Sequence, residues 1–184
     1  DAQVIYPPLT TVSSSISNSM PSSPYLIVSR LYAYKNVHIA IDAFNKLGHP
    51  LIIIGDGPAR KHLQRMARRN VTFLGHQNDA TIREYYASCR AFIMPQEEDF
   101  GLTALEAMSA GKPVLALRRG GALETVREGV TGEFFDDPIP EALADGITRL
   151  NDAYHQYQPD KIRLHARQFS SERFRAAMLK LVRS

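Results

Sequence analysis

The chain has 184 residues, one domain's worth of material and enough to bury a sizeable core. Apolar residues make up 44% and charged residues 22%, and no apolar run is long enough for a transmembrane helix. A formal charge of +3, from 22 basic and 19 acidic residues, helps to hold a small anion and gives no argument for nucleic acid.

Residues 1–24 separate from the rest by composition. Val4-Ile5-Tyr6 reads as a short strand that must end at Pro7-Pro8. A dense serine cluster with Asn and Pro follows over 10–23, which is linker chemistry. From 25 to 184, short apolar runs alternate with helix-period segments. Strands are predicted at 25–29, 51–55, 71–74, 91–94, 114–117 and 133–135. Helices are predicted at 37–47, 59–69, 80–88, 102–110, 122–127 and 140–150, followed by a C-terminal pair. The last helix starts at Ser170 or Ser171 as N-cap and runs to Val182. The runs are too continuous for half-exposed strands, and each precedes a helix. That order predicts an α/β, Rossmann-like three-layer sandwich with a mostly parallel sheet. Ligands of such folds lie beyond the carboxyl ends of the strands.

The stretch from Gln96 to Met108 occupies that place. Its acidic loop follows the strand closed by Pro95, and a helix opens near Gly101. Free N–H groups and the helix dipole there suit a phosphate. Glu98 precedes the helix and Glu106 lies about one turn inside it. A ligand with a hydroxyl-bearing group on each side of a diphosphate engages both carboxylates. A nucleotide sugar has that layout.

Other chemistries find less support. The six histidines have no metal-ligand spacing, and one cysteine leaves no zinc pattern. Cys89, between Tyr85-Tyr86 and Ala91-Phe92, reads as a buried inert thiol. A lone cysteine excludes an internal disulfide and suits a reducing compartment; with no secretory signal visible at the start, the expectation is cytoplasmic. Gly55-Asp56-Gly57-Pro58 runs on to Arg60 and fails the dinucleotide fingerprint, which argues against a dehydrogenase. The triplet Glu97-Glu98-Asp99 admits a magnesium ion as an alternative to a sugar.

The Glu98-x7-Glu106 spacing, followed by Ala107-Met108-Ser109-Ala110-Gly111-Lys112-Pro113-Val114, resembles the donor-binding half of GT-B glycosyltransferases, specifically the retaining family 4. Val28-Ser29-Arg30-Leu31 with Lys35 resembles that family's first donor loop, with Ser29 where glycine is usual. Gly55-Asp56-Gly57-Pro58, Phe73-Leu74-Gly75 and Gly120-Gly121-Ala122-Leu123-Glu124 match in order, so the likeness covers 25–135. The wording Glu97-Glu98-Asp99-Phe100-Gly101 is most similar to the bacterial and archaeal mannosyltransferase branch.

The resemblance implies a donor-binding domain whose substrate is a nucleoside-diphosphate sugar, GDP-mannose or a UDP-sugar, used with retention and without a metal cofactor. It implies that Arg30 and Lys35 stabilise the leaving diphosphate, as catalytic cations alongside Glu98, which orients the sugar. Phe100, Gly101, Leu102 and Thr103 would surround the diphosphate, Glu106 would hold the ribose, and Gly75 and His76 would face the nucleobase. It implies that 1–24 joins two Rossmann-like halves, with the acceptor half absent and this half inactive alone. The acceptor would be a glycan or lipid-linked sugar, in polysaccharide, lipopolysaccharide or glycolipid synthesis. Peripheral contact with the inner membrane face is then reasonable, and Arg60, Lys61, Arg65, Arg68 and Arg69 offer a basic face for it beside the simpler reading of a solvated surface. A non-catalytic nucleotide-sugar-binding module and an epimerase of the same architecture are the alternatives.

Overall fold

Six apolar runs become six strands: β1 (Tyr25–Val28), β2 (Leu51–Ile54), β3 (Val71–Gly75), β4 (Phe92–Met94), β5 (Val114–Leu117) and β6 (Gly132–Phe135). The computed structural model describes residues 4–9 and 22–183, so most of the serine-rich stretch lies outside the described residues. Every pairing is parallel, and the order across the sheet is β3-β2-β1-β4-β5-β6. β4, β5 and β6 are buried along their whole length, as strands covered on both faces must be. The edge strand β3 leaves Thr72 exposed.

The helices are α1 (Val37–Leu47), α2 (Arg60–Met66), α3 (Asp79–Ser88), α4 (Leu102–Ser109), α5 (Ala122–Thr125), α6 (Pro140–Asp152), α7 (Pro159–Ala166) and α8 (Ser171–Arg183). α1 packs beside α2 and α6, and α4 packs beside α3 and α7, giving a helical layer on each face. α6 shows how pattern becomes packing. Pro140 starts it, and Leu143, Ile147 and Leu150 turn inward at helical spacing. Gly146 lets it settle on the sheet, because a Cβ there would lie 2.8 Å from Leu115 Cδ1.

Three expectations need correcting. Residues 4–6 join no strand; the first sheet-like contact among the described residues is the bridge from Leu9 to Ser170, with Leu9 N donating to Phe169 O at 2.8 Å. Pro7 and Pro8 have no N–H to offer, so pairing begins only after them. The predicted helix 59–69 stops at Met66, since Ala67 is already extended (φ −71°, ψ 137°). The predicted helix 122–127 is a single turn; Val126 is extended, and the Arg127 N–H goes to the Thr131 hydroxyl at 2.8 Å. The tail begins as expected, with Ser170 Oγ accepting from Arg173 N at 3.4 Å.

Strand order reverses between β1 and β4, so the loops after these two strands stand side by side. In a doubly wound sheet such a switch point is where a crevice opens.

Candidate functional site

The loop after β1 carries Arg30 outward and Lys35 inward. A short 3-10 turn (Ala33–Lys35) ends at Asn36, which takes the left-handed conformation (φ 53°) that Asn tolerates. Asn36 Nδ2 donates to Pro95 O at 3.4 Å, tying this loop to the end of β4. Lys35 is thereby only 7% exposed, and its ammonium pairs with Glu98 Oε1. Gln96 Nε2 donates to the same oxygen at 2.8 Å. Arg30 stays exposed at the rim, its guanidinium 6.0 Å from the Tyr32 ring centre.

Opposite them α4 begins. Gly101 is its N-cap at φ 84°, and no side chain caps the helix. The first-turn amides therefore lack side-chain acceptors and carry the positive end of the helix dipole. The acidic loop is held from behind by two glycines. Gly121 N donates to Glu98 O at 2.8 Å, and a Cβ on Gly121 would fall 2.4 Å from Phe100 Cα and 2.5 Å from Asp99 O. The smallness of Gly120 and Gly121 thus seats the loop bearing Glu98. Gly121→Ala is expected to destabilise the fold by about 2–3 kcal/mol in urea denaturation, because backbone rather than a flexible side chain must yield.

Two clefts open on these loops and share Val28, Ser29, Arg30 and Thr103. One, of about 350 Å³, also takes in Lys35, Glu98, Phe100, Gly101 and Leu102. The other, of about 340 Å³, is bounded by Gly55, Asp56, His76, Gln77 and Ile82. Seven of the ten residues singled out from sequence, namely Arg30, Lys35, Glu98, Phe100, Gly101, Leu102 and Thr103, thus meet around one cavity. His76 belongs to the adjoining one, where Gly75 supports the wall: its carbonyl accepts from Gly55 N at 2.8 Å.

Glu106 stands one turn beyond Thr103 on α4, and its Oε2 accepts from Tyr86 OH at 2.9 Å. Burial pushes its carboxyl above the usual range; the Tyr86 hydroxyl opposes that shift and Asp79 adds to it. The Phe100 ring packs against two other aromatic side chains. It stacks on Tyr6 at 5.4 Å and meets Phe169 edge-on at 5.6 Å. Glu97 and Asp99 are exposed, and among the described residues no group of three His, Cys, Asp or Glu is placed to hold a metal ion. Cys89 is buried, and burial raises its thiol to about 12, as an inert core sulfur requires. Gln96 carried no role in the sequence; the available signal was a polar residue just past the proline that closes a wholly apolar strand.

A parallel sheet whose switch point joins a cation, a carboxylate and an uncapped helix N-terminus defines a Rossmann-type domain with an anion cradle. Comparison with known proteins agrees. The family profile "Glycosyl transferases group 1" matches residues 18–167, and the chain belongs to that family. It is 33% identical to a sulfoquinovosyl transferase of Arabidopsis thaliana over 175 residues, 90% of this chain and 34% of the relative. A GDP-mannose-dependent alpha-mannosyltransferase of Corynebacterium glutamicum is 34% identical over 134 residues, 70% of this chain and 32% of the relative. The structure of Anabaena HepE in complex with UDP and glucose superposes with a TM-score of 0.78 at 26% identity, covering 89% of this chain and 49% of that one. The chain thus corresponds to one half of a GT-B fold and spans about a third of the length of these curated relatives. Among the described residues no helix is long and apolar enough to cross a membrane.

Proposed function

We propose that this chain binds a nucleoside-diphosphate sugar and serves as the donor side of a glycosyl transfer that retains configuration. The observation that carries the reading is the meeting of Arg30, the Lys35–Glu98 pair and the N-terminus of α4 around one cleft. The diphosphate lies against Arg30, Lys35 and the amides of Gly101 and Leu102, with the Thr103 hydroxyl beside it. These fixed donors strengthen as charge develops on the leaving diphosphate, so no metal is required. Glu98 accepts from sugar hydroxyls, Glu106 from the ribose, and the nucleobase enters the cleft bounded by His76 and Gln77. The acceptor hydroxyl attacks on the leaving-group face and passes its proton to a phosphate oxygen, which makes Glu98 an orienting group rather than a nucleophile. A second domain brings the acceptor, a glycan or lipid-linked sugar, because one wall of a cleft cannot exclude water from both substrates. Relatives named for GDP-mannose and a neighbour holding UDP favour those two nucleotide classes.

Calorimetric titration of the chain with UDP, GDP, ADP and their hexose conjugates tests this. One nucleotide class should bind with a Kd of roughly 0.1–1 mM without magnesium. Absence of binding by all of them, or binding only with magnesium, would sink the proposal. The two glutamates should then separate. Glu106→Gln is expected to weaken every ribonucleotide of that class about fivefold to tenfold, whereas Glu98→Gln weakens only the sugar conjugate. Equal weakening of the free diphosphate by both would remove Glu98 from the sugar.

A further inference from the structure

One buried side chain at the site has no part in that reading. Gln96 is 3% exposed. Its Nε2 reaches Glu98 Oε1 at 2.8 Å, while its own Oε1 is buried with no hydrogen-bond partner among the described residues. Turning the amide over would press its carbonyl oxygen against a carboxylate, so the chemistry fixes this orientation. A half-satisfied buried amide costs stability that a methionine of similar length would not. The position nonetheless holds glutamine.

The arrangement around Glu98 gives the reason. Oε1 takes two donors, the Lys35 ammonium and the Gln96 amide, and no described hydrogen bond engages Oε2. The Glu98 side chain is 27% exposed, so one oxygen is anchored at the rear while the group as a whole still meets the cleft. Lys35 also lines the space assigned to the diphosphate. An incoming diphosphate competes with Glu98 for that ammonium, since both are anions. It competes far less for a neutral amide held at the carboxylate's buried side.

We infer that Gln96 is a positioning residue for sugar recognition: it holds the Glu98 carboxylate toward the donor's hydroxyls while Lys35 turns to the diphosphate. This rests on the proposed donor role of the cleft. It adds that discrimination between a nucleotide sugar and its parent diphosphate depends on a side chain that touches neither.

The test compares Gln96→Met and Gln96→Leu, neither of which can donate to Glu98, with the parent 184-residue chain, by calorimetry with UDP, GDP, ADP and the hexose conjugate of each. The readout is the affinity for each sugar conjugate divided by that for its diphosphate. Both variants should lose about tenfold of this preference while diphosphate affinity stays within about twofold. A merely structural role would lower both affinities together, and that result overturns the inference, as does an unchanged preference in either folded variant. Thermal melting identifies the folded variants; Gln96→Met should melt at or above the parent temperature, and Gln96→Leu, which adds no heavy atom, stands in if it does not. Failure of the parent chain to bind any of these ligands is a different outcome, because it removes the donor-site reading itself.

Discussion

Replacing Arg30 and Lys35 together with alanine is expected to weaken nucleoside-diphosphate binding by about 2–4 kcal/mol, through loss of charge-assisted contacts. Free nucleoside, which has no phosphates, should bind as before. The single variants should differ from each other. Arg30 is exposed at the rim and has no ion pair among the described residues, so its charge is available to a ligand at once. Lys35 is engaged with Glu98 before any ligand arrives. Removing Lys35 alone leaves the Glu98 carboxylate without its counter-charge beside the diphosphate, adding repulsion to lost attraction. Lys35→Ala should therefore weaken the diphosphate more than Arg30→Ala and lower the melting temperature, which Arg30→Ala should leave alone. Unchanged diphosphate affinity in the double variant would take both cations out of the site.

Gly55→Ala is expected to cost about 3–4 kcal/mol of stability, measured as a shift of the urea midpoint. Gly55 sits at φ 128°, and a Cβ there would fall 1.9 Å from the Ser29 carbonyl oxygen and 2.9 Å from its carbon. Both are backbone atoms of Ser29, at the carboxyl end of β1, so no side chain can swing aside. β1 and β2 would have to part where the two clefts meet. A variant within about 1 kcal/mol of the parent would mean those strand ends separate readily, against the geometry described here.

The sheet was legible from sequence because a doubly covered parallel strand needs an unbroken apolar run, and all six runs became strands. Helix bodies were legible from apolar residues at helical spacing, whereas helix ends were set by single contacts such as the Thr131 hydroxyl at Arg127 N. The cleft was legible because Arg30, Lys35, Glu98 and Gly101 all follow strands whose ends the topology brings together. What escaped was everything decided by a side chain's direction. Nothing in the order of residues indicates that Lys35 bends inward to Glu98, that Phe100 turns to Tyr6 and Phe169, or that Gln96 lies beneath the carboxylate. The first two depend on contacts between positions 60 and more residues apart, such as Lys35 with Glu98, which no local pattern records; Gln96 and Glu98 are near neighbours whose side-chain directions the order of residues does not give.

The aromatic packing at Phe100 makes the acidic loop answerable to a distant part of the chain. Tyr6 lies on one side of the Phe100 ring and Phe169 on another, and the Leu9 amide is hydrogen-bonded to the Phe169 carbonyl. Each ring contact is worth about 0.5–1.5 kcal/mol, comparable with the forces that hold a loop in one place. The segment 4–9 is therefore fastened to the acidic loop by ring packing, and Phe100, which receives it, stands two residues from Glu98.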